Sequence, residues 1–146
     1  MSGMVIALGA DHGGSELKNS LKAYLEKRDI QVQDFGVDDG TSVDYPDRAL
    51  PVIRSIISGQ AHVGILCCGT GIGMSIKANR YKGIRSALIY NAFTAEMAKA
   101  HNNANVVCLG GRTLSKDEAK ILVQVWLDTA FEGGRHQRRL DKLEGD

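Results

Sequence analysis

Proline is nearly absent, at two of 146 residues, and cysteine is limited to three. Two prolines beside seventeen glycines fit a chain of regular elements joined by many tight turns. Cys67, Cys68 and Cys108 are too few and too poorly spaced for a disulfide framework, which points to a reducing, cytoplasmic setting. No apolar run approaches the ~20 residues of a membrane span. Met1-Ser2-Gly3-Met4 has neither a basic region nor a long apolar segment, so no signal peptide is expected. Charge of one sign is also missing: the net value is +1, and no strong field favours nucleic acid or an anionic membrane. Nucleotide motifs fail as well. Gly69-x-Gly71-x-Gly73 is not G-x-G-x-x-G, no acidic residue ends the next strand, and no Lys-Ser/Thr pair follows the glycines. No two pairs of His or Cys combine at metal-ligand spacing, so no metal and no cofactor are expected.

What is present is alternation. Hydrophobic residues make up 43% of the chain, enough for a core in one domain spanning 1–146. Apolar runs at Met4–Leu8, Ile30–Phe35, Val63–Cys67, Ile84–Ile89 and Asn105–Leu109 predict five strands. Between them lie helical patterns. Leu17, Leu21, Tyr24 and Leu25 mark a first helix, with Ser15 as its expected cap, and Leu50, Ile53, Ile56 and Ile57 mark a second, opened by Tyr45-Pro46. Met74–Arg80 is a third; Phe93, Met97 and Ala100 define one side of a fourth; Ala119 to Leu127 is a fifth. Gly133-Gly134 breaks the chain before a terminal helix, Arg135–Leu143. Parallel strands need crossovers, and crossovers cover the sheet, so the expected fold is α/β: a Rossmann-like, doubly wound sandwich around a five-stranded parallel sheet. The domain is complete by about Leu127, which makes the terminal helix a packing arm for a partner subunit and predicts a homo-oligomer.

Ligands of such sheets bind outside the carboxyl ends of the strands. Those turns hold Asp11-His12, Cys68 and Thr70, Asn91, and Arg112. The central one, Cys67-Cys68-Gly69-Thr70-Gly71-Ile72-Gly73, carries a thiol, a hydroxyl and three glycines on a strand-to-helix turn. Exposed backbone N–H groups there suit either a bound phosphate or charge that develops during a reaction. Cys68, at the strand's end beside a helix start, is placed to be a base or nucleophile; Cys67 and Cys108 read as core. Asp11-His12 is either a structural turn or a carboxylate and imidazole facing a polar ligand. His101-Asn102 ends the fourth helix, nearer the opposite edge. It meets the cluster only if a neighbouring subunit supplies it, or if that helix is short and bent. Arg135 and Arg139 share a helix face, either as part of a solvated basic surface with Arg138 and Lys142 or as a clamp for phosphate.

Taken in order, Ala10-Asp11-His12, Asp44-Tyr45-Pro46, Cys68 to Gly73, Ala78-Asn79, His101-Asn102 and Glu132 to Gln137 resemble the type B ribose-5-phosphate isomerases of the RpiB/LacA/LacB sugar-phosphate isomerase family. The resemblance runs from about Met4 to Leu143. It implies cofactor-free exchange of ribose 5-phosphate and ribulose 5-phosphate through an enediolate, in the pentose phosphate pathway. It implies that Cys68 is the base and that His101 helps open the sugar ring, with Asp11 and Thr70 nearby. The backbone of Gly69, Gly71, Ile72 and Gly73 would hold the enediolate. His12, Arg112, Arg135 and Arg139 would contact phosphate; Tyr45 and Asn102 would line the sugar. It further implies a homodimer or tetramer whose sites are shared between subunits. Some family members carry a glutamate where Met74 stands here, so this chain resembles the cysteine branch. Isomerases of allose 6-phosphate or galactose 6-phosphate, or a non-catalytic sugar-phosphate-binding module, are the alternative expectations.

Overall fold

The apolar runs do form strands. The computed structural model describes residues 3–145. Its elements are β1 (Val5–Ala10), α1 (Ser15–Lys27), β2 (Gln31–Asp34), α2 (Tyr45–Ile57), β3 (Val63–Cys68), α3 (Ile72–Ala78), β4 (Ser86–Leu88), α4 (Ala92–Ala100), β5 (Val106–Gly110), α5 (Lys116–Asp128) and α6 (Arg135–Leu143). The strands make one five-stranded sheet in the order β2-β1-β3-β5-β4, parallel throughout. This is the doubly wound α/β fold.

Both faces of the sheet are covered, which is why β1, β3 and β5 read as unbroken apolar runs. Leu17, Leu21 and Leu25 of α1, Ala95 and Ala98 of α4, and Leu122, Val123 and Trp126 of α5 pack on Ile6, Leu8, Ile65, Cys67, Val107 and Leu109. On the other face, Val52 and Ile53 of α2 and Met74 and Ala78 of α3 pack on Ala7, Leu66, Cys68, Val106 and Cys108. Trp126 is fully buried, and its Nε1–H donates to the Ala104 carbonyl at 3.1 Å.

The register decides where the site lies. Ala10 pairs with Cys67, and Cys68 pairs with Gly110, so β1, β3 and β5 end at one level. The chain leaves β1 for β2 on one side and returns to β3 on the other, so β1 and β3 flank the switch point where such sheets bind ligands.

Four local expectations are corrected. Ser15 is the first helical residue rather than a cap; Gly14 precedes α1 without a side-chain cap. β4 is shorter than Ile84–Ile89, because Asn105 Oδ1 and Asn79 Oδ1 accept the N–H groups of Arg85 and Ser86 at 2.8 Å each. α4 buries Ala95 and Ala98 while Phe93 is 68% exposed. Small residues let α4 lie close against α5, so the large ones face outward. Lastly, α6 is not spare: His136 and Leu140 are buried against the domain. Asn91 proves to be a cap. Its side chain accepts from the Thr94 N–H at 2.8 Å, and Thr94 Oγ1 accepts from the Asn91 N–H at 3.2 Å, an arrangement that contributes about 1 kcal/mol.

A buried ion cluster fastens the loop after β2. Lys18, fully buried, donates to both Asp34 oxygens at 2.8 and 2.9 Å and also pairs with Asp38. Burial alone would raise the Asp34 carboxyl, but the Lys18 ammonium and the Gly36 N–H outweigh it and hold the group below the usual carboxylate range.

Candidate active site

Three turns at the carboxyl ends of β1, β3 and β5 are knitted together through their main chains. The Asp11 N–H donates to the Cys67 carbonyl at 3.2 Å, the Gly111 N–H to Cys68 at 2.8 Å and the Arg112 N–H to Gly69 at 3.0 Å. A Cβ on Gly110 would lie 2.8 Å from Thr70 Cα, and one on Gly13 would lie 3.1 Å from the Gly69 nitrogen. Backbone packed on backbone leaves little room for these turns to shift. Asp11 is 8% exposed, and its Oδ1 accepts from the Gly13 N–H at 2.9 Å. Its carboxylate therefore braces its own turn.

The pleat of β3 sends adjacent cysteines to opposite faces. Cys67 joins the α1/α5 side and Cys68 the α2/α3 side. Burial, with Cys108 and Cys68 nearby, pushes the Cys67 thiol far up; burial also pushes Cys108 up to about 12. Neither can serve as a base at neutral pH. Cys68 is 5% exposed and stands where β3 opens into the turn. The Gly71 N–H donates to its Sγ at 3.1 Å. Gly71 has φ 82°, the left-handed region open to glycine, and this backs its amide onto the sulfur. Beside it, Thr70 Oγ1 accepts from the Ile72 N–H at 3.2 Å. Tyr45, the first residue of α2, lays its ring over Gly73: a Cβ there would lie 2.5 Å from the Tyr45 Cζ.

His12 and Arg112 border one cleft of about 420 Å³, together with Ser15, Asp38 and Gly111. His12 Nδ1 accepts from the Val43 N–H at 3.3 Å, which puts the proton of the neutral ring on Nε2. The guanidinium of Arg112 lies against Gly69, whose Cβ would be 3.1 Å from Nη1. Asp11, His12, Tyr45, Cys68, Gly69, Thr70, Gly71, Ile72, Gly73 and Arg112 thus gather at one edge of the sheet.

The remaining four do not join them. His101 caps the end of α4, and with Asn102, Arg135, His136, Arg139 and Leu140 it borders a separate cleft of about 350 Å³. This group lies before the amino end of β5 and Arg112 lies after its carboxyl end, so the length of a five-residue strand, roughly 16 Å, separates them. α4 runs nine residues from beyond the carboxyl end of β4 back toward the amino end of β5, and His101 is its C-cap. Another cavity, of about 630 Å³, runs between the end of α3 and α6 past Tyr81, Arg85 and Leu140. Neither Cys68 nor any histidine lines it.

The second group contains two residues that sequence reasoning left without a role. The His101 and His136 rings stack with centroids 4.1 Å apart and planes 13° from parallel. Glu132 Oε1 lies 3.3 Å from His136 Nε2 and 3.7 Å from His101 Nε2. Burial first, then the charges of His101, Arg135 and Arg139, push His136 below the usual histidine range despite Glu132. In sequence these two were marked only by the four-residue step between them and by their place in the Glu132 to Gln137 motif of the resemblance.

Comparison with known proteins bears on the family and the fold. The family model of the ribose/galactose isomerases matches residues 6–143. A ribose 5-phosphate isomerase of Thermotoga maritima superposes with a TM-score of 0.95 at 48% identity, over 97% of this chain and 98% of that one. Ribose-5-phosphate isomerase B from Mycoplasma genitalium, solved with bound ribulose-5-phosphate, gives 0.92 at 38% identity, over 99% and 96%. The D-erythrulose-4-phosphate isomerase of Pectobacterium atrosepticum is 40% identical over 94% of this chain and 91% of its own length. With most of its length matched and the same folded core, the chain belongs to the ribose/galactose isomerase family, as a sugar-phosphate isomerase of the type B ribose-5-phosphate isomerase kind.

Proposed function

We propose that the chain interconverts D-ribose 5-phosphate and D-ribulose 5-phosphate, without a cofactor, in a site assembled from two copies of the chain. The observation that carries this reading is Cys68, a thiol at the mouth of the strand ends with the Gly71 amide 3.1 Å from its sulfur. An aldose–ketose shift needs one group that takes a proton from one carbon and returns it to the next. The Cys68 thiolate takes the C2 proton of the open aldehyde and the resulting thiol gives it to C1; at the same time O2 loses its proton and O1 gains one. The enediolate charge formed in between falls against the backbone of Gly69, Gly71, Ile72 and Gly73, with Thr70 and Asp11 beside it. Fixed amides of this kind stabilise an oxyanion without reorganisation.

Aldopentose phosphates are mostly closed rings, so C1–O4 must break first. His101 gives a proton to O4 as that bond breaks and C1=O1 forms, and the hydroxyl proton of O1 leaves to solvent. His101, Asn102, Arg135 and Arg139 reach Cys68 only from a second copy of the chain, as a homodimer or a tetramer of dimers. Phosphate then lies between His12 and Arg112 of one copy and Arg135 and Arg139 of the other, while Tyr45 and Asn102 line the sugar. Ile72, Ile76, Tyr90 and Phe93, each more than half exposed, give that copy apolar surface to cover. Among the described residues no helix is long and apolar enough to cross a membrane. Three free, buried thiols are consistent with a reducing compartment, and the proposal sets the chain in the cytoplasm.

A second reading is an aldose phosphate of another length. The four-carbon substrate in the name of the Pectobacterium relative and the galactose in the family's description favour it. One assay separates the two: four-, five- and six-carbon aldose phosphates with chelator present. The proposal expects the highest kcat/KM with ribose 5-phosphate and no effect of chelator. It also expects Cys68→Ala to abolish turnover while phosphosugar binding survives. Turnover confined to other chain lengths, or near-normal Cys68→Ala activity, defeats it.

A further inference from the structure

We propose that Glu132 and His136 are positioning residues for His101, holding its ring in one plane and keeping the transferable proton on it during ring opening. The inference rests on the reading that His101 opens the sugar ring.

The geometry is built, not incidental. The Glu132 N–H donates to the Ala100 carbonyl at 3.0 Å and ties the segment to the end of α4. Gly133 (φ 70°) and Gly134 (φ 57°, ψ −128°) follow, the second in a conformation essentially confined to glycine. This turn returns His136 over the face of His101, at 4.1 Å and 13°. His136 is 6% exposed, and its Nε2 makes no well-aligned hydrogen bond among the described residues although Glu132 is near. The His101 side chain is 38% exposed and opens into the cleft with Arg135 and Arg139.

Two imidazoles this close do not both carry charge, because like charges in contact repel. Burial disfavours the cation on His136, and Arg135 and Arg139 disfavour it further. Glu132 stabilises a proton on either ring. His101 is the more exposed ring of the pair, and its Nε2 lies 3.7 Å from Glu132 Oε1, so it is the ring placed to pass a proton to O4. The stack removes the freedom of His101 to turn edge-on. Placing a general acid in this way is part of what makes such catalysis effective.

His101, Glu132 and His136 also bring their ligand atoms within 4.8 Å of one another. Their rings, however, lie in nearly parallel planes. Nitrogen lone pairs lie in the ring plane, so two parallel planes offer no common point for one ion. The arrangement suits a shared carboxylate and a shared proton.

The test compares two reactions of the same phosphosugars. Isomerisation of ribose 5-phosphate needs the ring opened. Exchange of the C1 hydrogen of ribulose 5-phosphate in D2O, followed by NMR, does not: its 5-hydroxyl is phosphorylated and no furanose can form. Glu132→Gln and His136→Phe, the latter keeping a ring in the stack, are expected to lower kcat/KM for ribose 5-phosphate roughly tenfold while C1 exchange stays within about twofold of wild type. Equal losses in both reactions, or none in either, overturn the proposal. Glu132 is 55% exposed on its side chain, so Glu132→Gln decides the matter if His136→Phe does not fold. His101→Asn tests the underlying reading separately. If it fails to lower isomerisation selectively, His101 is not the ring-opening group. If it does so while Glu132→Gln remains at wild-type rates, only the positioning role is lost.

Discussion

A site divided between copies makes a demand that a site within one chain does not. On the proposed mechanism, Cys68→Ala removes the base at the carboxyl ends of the strands, and His101→Asn removes the acid beyond the amino end of β5. Each variant alone leaves every site of a homodimer defective. In a mixed dimer the defects segregate. One site combines both lesions, and the other combines an intact Cys68 from one copy with an intact His101 from its partner. Random reassembly of equal amounts makes half the dimers mixed, and half the sites in those are whole, so activity should return to about one quarter of wild type. The strand length of roughly 16 Å between the two groups is what forbids a single copy from making that whole site. The assay is ribose 5-phosphate turnover after the purified variants are mixed, mildly dissociated and returned to buffer, with each variant alone as baseline. If mixing recovers nothing although mixed dimers are shown by mass, the site lies within one chain and the shared-site reading is wrong.

Other expectations are simpler. Arg135→Ala or Arg139→Ala should raise KM about tenfold, the value of one charge-assisted phosphate contact, with little change in kcat; an unchanged KM would return α6 to an ordinary solvated surface. Gly73→Ala should cost most of the activity and leave the fold intact, because its methyl would meet the Tyr45 ring at 2.5 Å and push Tyr45 aside; a normal rate would show that the Tyr45 ring is not needed there. Lys18→Met should destabilise by about 3 kcal/mol, near the lower end for a broken buried pair because Lys22 remains 3.5 Å from Asp34. The pH dependence has a definite sign. Asp34 is held below the usual carboxylate range, so the stability it adds is present above that range and is lost as pH falls through it toward the lowered folded value. Denaturant midpoints of wild type should fall over that window and those of Lys18→Met should fall less; parallel curves would remove the ion cluster from the account.

The parts of this fold that sequence makes plain are those in which one residue's environment follows from its near neighbours. The apolar runs of β1, β3 and β5 could only be buried parallel strands, and the glycine turn after Val63–Cys68 could only be a strand-to-helix bend. Sheet order is different, since β5 between β3 and β4 depends on where α4 and α5 settle. The face of α4 misled for the same reason: hydrophobicity favoured Phe93 and Met97, whereas close approach to α5 favoured Ala95 and Ala98. The placement of Cys68 and Thr70 at the end of β3 was legible from the glycine-rich turn that follows. The meeting of His101 with Glu132 and His136 was not, because α5 must first carry the chain back across the sheet before two glycines turn it.

The pleat of β3 turns two neighbouring thiols to opposite faces of the sheet, with a third in the adjoining strand β5. A reagent that alkylates cysteines should therefore count one fast site among three, and a saturating phosphosugar should protect that one alone. An electrophile built on a sugar phosphate would be steered to Cys68 by the cleft and refused by Cys67 only one residue away. The same pairing hides a vulnerability: if Cys68 opens to substrate as proposed, it opens to peroxide as well, and the adjacent thiol, facing the far side of the sheet, is turned the wrong way to rescue it as a disulfide.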